Sequence, residues 1–454
     1  MTPPTAPGGT FTRGTLVYTR RTLVPLFFWI LWGDFCLQFM ESVVPGVLPL
    51  LMGQWKVPAL FIGLFVTTIP SFLNFLITPL VSVWSDRHRG RLGRRIPFLL
   101  APTPFVVLFL LGIAGTGHLA DIVHGLLGGA WSVDTCRIVI LGIMVTAFQV
   151  ANMVVNSVYY YLFNDVVPEP LMGRFLGLFR VVSIAAGACF SFFALPHAGG
   201  HAEEIFAWSA LVYGLGFGLM CLKVREGRYP EPEQLGRGNP FRAAFHLLRD
   251  CFSTPFLRSY AMFCAALSFS MAWNPFLQLM RFNAGLSYAE VGMLLGISSA
   301  FTALVSYPAG ILVDRYRPFA VATGGMVLFS AGHLLYLPVF APAAGGGAFW
   351  IMAAAILIST LGMGIFQGAA MPLHMHVFPP GKYGQFCGSL GITNALGSMA
   401  GGLFAGLCTG AVLDGLGTVA SRVLAPVGMF VSLALCLALL VRSWRLWISR
   451  PHSG

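Results

Sequence analysis

Charge is what this chain has least of. Only 9% of its 454 residues are Asp, Glu, Lys or Arg, where a soluble domain carries about 25%. With 57% of residues hydrophobic, too few charges remain to clothe a soluble fold. That excludes a cytosolic enzyme and a disordered chain, and leaves a polytopic membrane protein. Lysine is nearly absent: Lys56, Lys223 and Lys382 stand against 24 arginines, a skew that points to a GC-rich bacterial genome. The nine cysteines form no C-x-x-C pair, which excludes a thiolate metal site and gives no sign of a disulfide framework. No G-x-x-x-x-G-K-[ST] run occurs, which argues against an ATP-driven pump within this chain. His374-x-His376 resembles a metal pair, but the two side chains point to different helix faces and no acid is near in sequence. No metal and no cofactor are expected.

What is present is apolar length. At about 20 residues per span, the chain can hold about 10 to 14 helices. Twelve can be placed, at about 23–52, 58–84, 96–117, 137–164, 171–196, 205–222, 256–282, 290–313, 319–341, 348–378, 385–413 and 423–447. The first run is far too long for the h-region of a signal peptide. The expected organisation is a disordered tail (1–22), a six-helix bundle (23–222), a linker (223–255), a second six-helix bundle (256–447) and a short tail (448–454). Residues Asn239 to Arg258 put Phe241, Phe245, Leu248 and Phe252 on one face, as in an interfacial amphipathic helix or the start of the seventh span.

The net charge of +11 would suggest nucleic acid, but the basic residues fall in short clusters between apolar runs, as in membrane loops. With the N-terminus inside, 22 of the 27 basic residues lie in inner segments and four in outer ones. The positive-inside rule then makes both termini cytoplasmic. The implied location is the bacterial cytoplasmic (inner) membrane, with the lipid bilayer as partner, no nucleic acid, and a monomer as the expected state.

The two halves repeat. Ser85-Asp86-Arg87 is echoed 228 residues later by Val313-Asp314-Arg315, and Gly173-x-Phe175-x-Gly177 is echoed by Gly384-x-Phe386-x-Gly388. Repeated six-helix halves are the architecture of many secondary transporters. These features resemble the major facilitator superfamily, whose signature loop runs roughly G-x-x-x-D-R-x-G-R; Gly310 to Arg315 keeps its glycine, while Ser82 replaces it in the first copy. The resemblance implies an all-α bundle of twelve transmembrane helices and transport by alternating access. It also implies a cytoplasmic gate built from Asp86, Arg87, Arg91, Arg94, Arg95, Asp314 and Arg315. The stretch from Ser85 to Phe98 is similar to sucrose transporters and the glycoside–pentoside–hexuronide cation symporters, and Arg180 resembles a helix-5 arginine of the latter. Asn74 and Thr78 stand where melibiose-type sodium symporters carry acids, which argues for protons over sodium. Gln149 precedes Ala151-Asn152 where sucrose transporters carry an acid, and Tyr160 falls near their helix-4 arginine, so that mechanism does not carry over whole.

A charge inside a span costs on the order of 3 kcal/mol or more, so the few present are informative. Only Asp34 and Glu41 among the acids lie well inside an expected span. Asp34 is roughly 16 Å deep at 1.5 Å per residue, and Asp34, Gln38 and Glu41 share a face at i, i+4 and i+7. A buried carboxylate can take up and release a proton, so both acids are candidates for proton coupling; an ion pair of Asp34 with Arg180 is the structural alternative. Gln149, Asn152, Asn156 and Tyr160 form one stripe with donors and acceptors for sugar hydroxyls, or for helix–helix hydrogen bonds. Arg180 could face a cavity or snorkel to the interface. Trp273 could stack on a sugar ring or pack; Asn274 and Gln278 share a face with Arg281, itself an alternative interface anchor. Gln367 and Asn394 complete the candidates with Asn74. Ser287-x-x-Glu290 reads as a capping box. The expected function is proton-coupled symport of a sugar or glycoside, with proton-driven export of drugs or lipophilic compounds as the alternative.

Overall fold

The computed structural model describes residues 11–227, 252–283, 285–337, 347–378 and 383–449. The greater part of the central linker, including the amphipathic helix expected from Asn239, lies outside the described residues, as does the end of the C-terminal tail.

Hydrophobic length makes the helices. Eleven carry the architecture: α1 (Arg20–Gln54), α2 (Ala59–Arg87), α3 (Ile96–Ala114), α4 (Val133–Val166), α5 (Glu169–Lys223), α6 (Pro255–Met271), α7 (Asn274–Asn283), α8 (Tyr288–Arg315), α9 (Pro318–Leu334), α10 (Ala348–Val377) and α11 (Tyr383–Ile448). Their starts follow capping chemistry. The Ser132 hydroxyl accepts from the Thr135 N–H at 3.2 Å, with Asp134 in the first turn of α4 where the helix dipole favours an anion. The expected box at Ser287 is present: its hydroxyl accepts from Glu290 N–H at 3.2 Å, and the Glu290 carboxylate accepts from Ser287 N–H at 2.8 Å.

Nine stretches among the described residues are long and apolar enough to cross a membrane, so the count of twelve is not confirmed. The difference has local causes. The expected fifth and sixth spans run together as Glu169–Lys223, passing through a π segment at Phe190–Ala194 and a non-helical kink at His201. The expected seventh span breaks between Met271 and Asn274 into helices of 17 and 10 residues. The ninth is a helix of 17 residues. By contrast α11 holds two spans, Phe386–Leu413 and Val423–Ile448.

The tail expected to be disordered carries a two-stranded hairpin, β1 (Phe11–Arg13) paired antiparallel with β2 (Leu16–Tyr18). Gly14 sits in the turn at φ +56°, a conformation that glycine adopts without strain. Arg13 anchors the hairpin: its Nε donates to Asn164 O at 2.7 Å and its guanidinium pairs with Glu169.

Contacts divide the chain into two compact units. The first holds the described residues to Val47, Leu76–Phe190 and the chain from Ala198 to the start of the linker. The second holds Leu48–Phe75, Ser191–His197 and the chain after the linker. The end of α1 and the first half of α2 therefore pack with the second unit, a division that sequence halves do not reveal.

Within the first unit the core is aromatic where α4 and α5 meet. Phe163 lies 5.1 Å from Phe175 and 4.9 Å from Phe179, and Tyr213 stacks on Phe217 at 5.0 Å between centroids. Leu211, Leu215, Leu219 and Leu222 are exposed along one face of α5, the arrangement expected where a helix faces lipid. In the second unit backbone meets backbone. A Cβ on Gly63 would overlap the Gly402 carbonyl, and one on Gly362 would overlap the Phe329 amide. Close approach through small residues is how membrane helices gain packing without a hydrophobic drive. The Gly402→Val variant should therefore lose about 1–3 kcal/mol by overpacking, seen as an earlier thermal transition in detergent. Gly310→Ala, whose Cβ meets nothing within 4 Å, should leave that transition unmoved.

Candidate functional site

In the first unit α1 presents Asp34, Gln38 and Glu41 along one face, and α4 and α5 supply their partners. Asp34 is fully buried. Ser183 of α5 donates its hydroxyl to Asp34 Oδ2 at 2.7 Å, while Oδ1 has no hydrogen-bond partner among the described residues. Two helical turns on, Asn152 Nδ2 donates to Glu41 Oε1 at 3.3 Å and Asn156 Nδ2 donates to the same oxygen. Asn152 Oδ1 is buried without a partner. Both carboxylates are thus met by neutral donors. Gln149 is buried beside this stripe, while Tyr160 is 47% exposed; its neighbour Tyr159 is buried and donates to Ile30 O at 2.8 Å. Arg180 sits on the exposed side of α5. On α2 Thr78 Oγ1 accepts from Ser157 of α4 at 3.1 Å, whereas Asn74 is exposed and falls in the second unit.

The remaining candidates belong to the second unit. Trp273 is 1% exposed and packs at 6.2 Å from Phe276 and 6.3 Å from Phe404 between centroids, against the backbone of Gly428. Gln278 accepts from Arg281 Nη1 at 3.0 Å, and Arg281 Nη2 donates to the buried Tyr336 hydroxyl at 3.1 Å. Asn274 and Gln367 are exposed, and Asn394 is half-buried with its carbonyl oxygen unpartnered among the described residues.

The arginine loop after α2 is a knot. Arg95 is buried and donates to Asp86 Oδ1 at 2.5 Å, to Ser85 Oγ at 2.6 Å and to Asp165 Oδ2 at 3.1 Å. Arg94 grips Asp165 with two nitrogens, the bidentate geometry that arginine favours. Glu226 closes the knot from the far end of α5: its carboxylate accepts from the backbone N–H groups of Arg94, Arg95 and Ile96 at 3.0, 2.8 and 2.6 Å. It thereby caps the positive start of α3. Burial pushes the Glu226 carboxyl above its ordinary pKa, against the pull of those three N–H donors. Arg87 and Arg91 are exposed, as is Arg315; the Asp314 side chain lies outside what is described.

A sequence profile described as Major Facilitator Superfamily matches residues 30–401 and 258–454. The chain belongs to the Major Facilitator Superfamily. It is a multi-pass membrane transporter rather than an enzyme. Among solved structures, a bacterial homologue of the human lysosomal transporter Spinster, inward-facing and occupied, is 17% identical at a TM-score of 0.63, covering 96% of this chain and 99% of that one. A nucleoside transporter is 11% identical at 0.64, covering 94% and 100%. A D-xylose–proton symporter is 14% identical at 0.64, covering 92% and 97%. At these identities the likeness is one of fold. No match was found among the curated proteins compared.

For this superfamily member, sequence reasoning missed Ser183, Asp165 and Glu226. Ser183 lies one turn beyond Arg180 in an apolar helix, where a lone serine gives no signal. Asp165 and Glu226 are acids at span ends and meet the arginines only through the fold. Breaking a buried ion pair costs about 3–5 kcal/mol, so Asp165→Asn should speed tryptic cleavage after Arg94 and Arg95 about tenfold or more. Cleavage after the exposed Arg91 should change little. Peptide mapping by mass spectrometry reads both.

Proposed function

We propose that this transporter is a proton-coupled symporter of a neutral, hydroxyl-bearing molecule, a sugar or glycoside, working by alternating access in the bacterial inner membrane with both termini cytoplasmic. The observation that carries the coupling half is the state of Asp34: one carboxylate oxygen is held by Ser183 and the other has no donor among the described residues. A buried carboxyl in that setting can hold a proton on the open oxygen without rearranging its neighbours. Glu41 is the second coupling candidate, its charge spread over two amide donors.

The cargo half is supported by the polar stripe of Gln38, Gln149, Asn152, Asn156 and Tyr160 beside those acids. Neutral amides offer donors and acceptors together and match hydroxyls without demanding charge. The similarity in fold to a D-xylose–proton symporter agrees with this reading. Asp86 and the arginines of the knot serve as the cytoplasmic gate, with Arg94 and Arg95 bearing on Asp165.

One observation favours the second reading, proton-driven export of lipophilic compounds. The second unit holds a crevice of about 720 Å³ lined almost wholly by apolar groups, among them Ala265, Phe269, Trp273, Phe404 and Val431.

Proteoliposome uptake of labelled mono- and disaccharides separates the readings. Under an imposed proton gradient, uptake is expected in wild type and a loss of at least tenfold in Asp34→Asn. Uptake driven by sodium, or equal uptake in the variant, would remove Asp34 from coupling. Extrusion of a lipophilic dye without sugar uptake would favour the exporter.

A further inference from the structure

The second unit keeps its described acid and most of its arginines at opposite ends. Glu290 is the one acid of that unit whose side chain is described, and it sits at the start of α8, engaged with Ser287. At the other end the starts of α6 and α9 and the ends of α10 and α11 meet through aromatic rings. Trp447 lies 5.1 Å from Phe256, 6.3 Å from Phe319 and 5.2 Å from His376 between centroids. Trp444 stacks on Phe319 at 6.5 Å with the ring planes 3° apart. Both tryptophans are half-buried and stand where the apolar stretch Val423–Ile448 ends. That is the level at which membrane proteins place tryptophan, among the lipid headgroups.

The same helix ends carry Arg258, Arg317, Arg442 and Arg445. All four are exposed, and none forms an ion pair among the described residues. Arg258 is the fourth residue of α6, and Arg317 is the N-cap of α9, whose start has no side-chain cap. The positive end of a helix disfavours a cation, so the helix dipoles do not account for these two. Arg445 lies in the last turn of α11 with Arg442 one turn before it, where the dipole favours them, and they stand on either side of Trp444 in sequence. The first unit is different: there Glu169, Asp165 and Asp86 answer Arg13, Arg94 and Arg95. The positive-inside rule explains why arginines lie at this end. It does not explain why they share their helix ends with an aromatic platform and with no described acid.

We propose that this end of the second unit is a binding surface for an anionic phospholipid, its headgroup phosphate held by Arg258, Arg317, Arg442 and Arg445 and its glycerol region lying against Trp444 and Trp447. Guanidinium groups hold phosphate through paired N–H donors, and basic clusters beside a span attract acidic headgroups. A soluble acidic partner would not call for tryptophans at headgroup level. The topology proposed above makes the leaflet the cytoplasmic one; the binding itself does not depend on it. Nor does it depend on the cargo, since the Asp34 cluster lies in the first unit and shares none of these residues. A lipid bound across four helix ends stabilises the folded second unit by mass action.

The test uses the full chain in mild detergent, titrated with phosphatidylglycerol and phosphatidylcholine of matched acyl chains, with bound lipid counted by native mass spectrometry. Phosphatidylglycerol is expected to bind about tenfold more tightly or better and to raise the thermal transition. Changing all four arginines to glutamine should bring the two lipids within about threefold of each other, while changing all four to lysine, which keeps the charge, should retain a clear preference. Arg20→Gln with Arg21→Gln removes two exposed arginines that open α1 and should leave the preference as it is. If the glutamine set does not fold, Arg317→Gln alone carries the test, with an expected loss of roughly threefold to fivefold. Equal binding of the two lipids by wild type would overturn the proposal. So would a preference unchanged in the glutamine variants, or an equal loss in the Arg20 and Arg21 pair. Displacement of the lipid by glycerol phosphate would also overturn it, by showing a site for a free anion.

Discussion

A carboxylate inside a bilayer must be answered by something, and here the answer is neutral. Asp34 and Glu41 lie on one face of α1, and the groups that meet them are a serine hydroxyl and two asparagine amides. A guanidinium at that depth would lock an acid in its charged form. Hydroxyl and amide donors serve charged and protonated carboxyls alike, since a protonated oxygen still accepts on its remaining lone pairs. The rest of the first unit serves this arrangement. The α4–α5 aromatic packing holds Asn152, Asn156 and Ser183 in register with α1, and the Tyr159 hydroxyl ties α4 to the α1 backbone at Ile30.

Strong charge is kept to the ends. The arginine knot joins the start of α3 to the ends of α2, α4 and α5 through Asp86, Asp165 and Glu226. All three acids lie at span ends, where the penalty for a charge is smallest. The same economy marks the second unit, where Gly63, Gly402 and Gly362 allow backbone contact and charges are few.

How much could be read from the sequence depended on whether a signal was local. The fold class was legible because nearly every apolar run exceeds what a soluble core needs. The shared face of Asp34, Gln38 and Glu41 was legible because helical spacing is regular, and the Ser287 box because its partners are three residues apart. Long-range partners were not. Asp165 reaches Arg94 across 71 residues and Glu226 reaches Arg95 across 131, and neither acid differs in sequence from an ordinary solvated loop residue. The hairpin at Phe11–Tyr18 was hidden for the same reason, since Arg13 orders it by reaching Asn164 and Glu169. The count of twelve spans is not confirmed at the places where local structure interrupts an apolar run, the break before Asn274 and the π segment after Cys189. The aromatic Trp273 was read as a stacking platform or a packing residue, and it lies buried against Gly428.

The account rests on Asp34 as the group that holds the transported proton. Infrared difference spectroscopy of the protein in lipid, recorded across pH in H₂O and D₂O, tests this directly. The account predicts a carboxylic C=O band that titrates, shifts on deuteration, disappears in Asp34→Asn and survives in Glu41→Gln. A titrating band that persists in Asp34→Asn would contradict it and place the proton elsewhere.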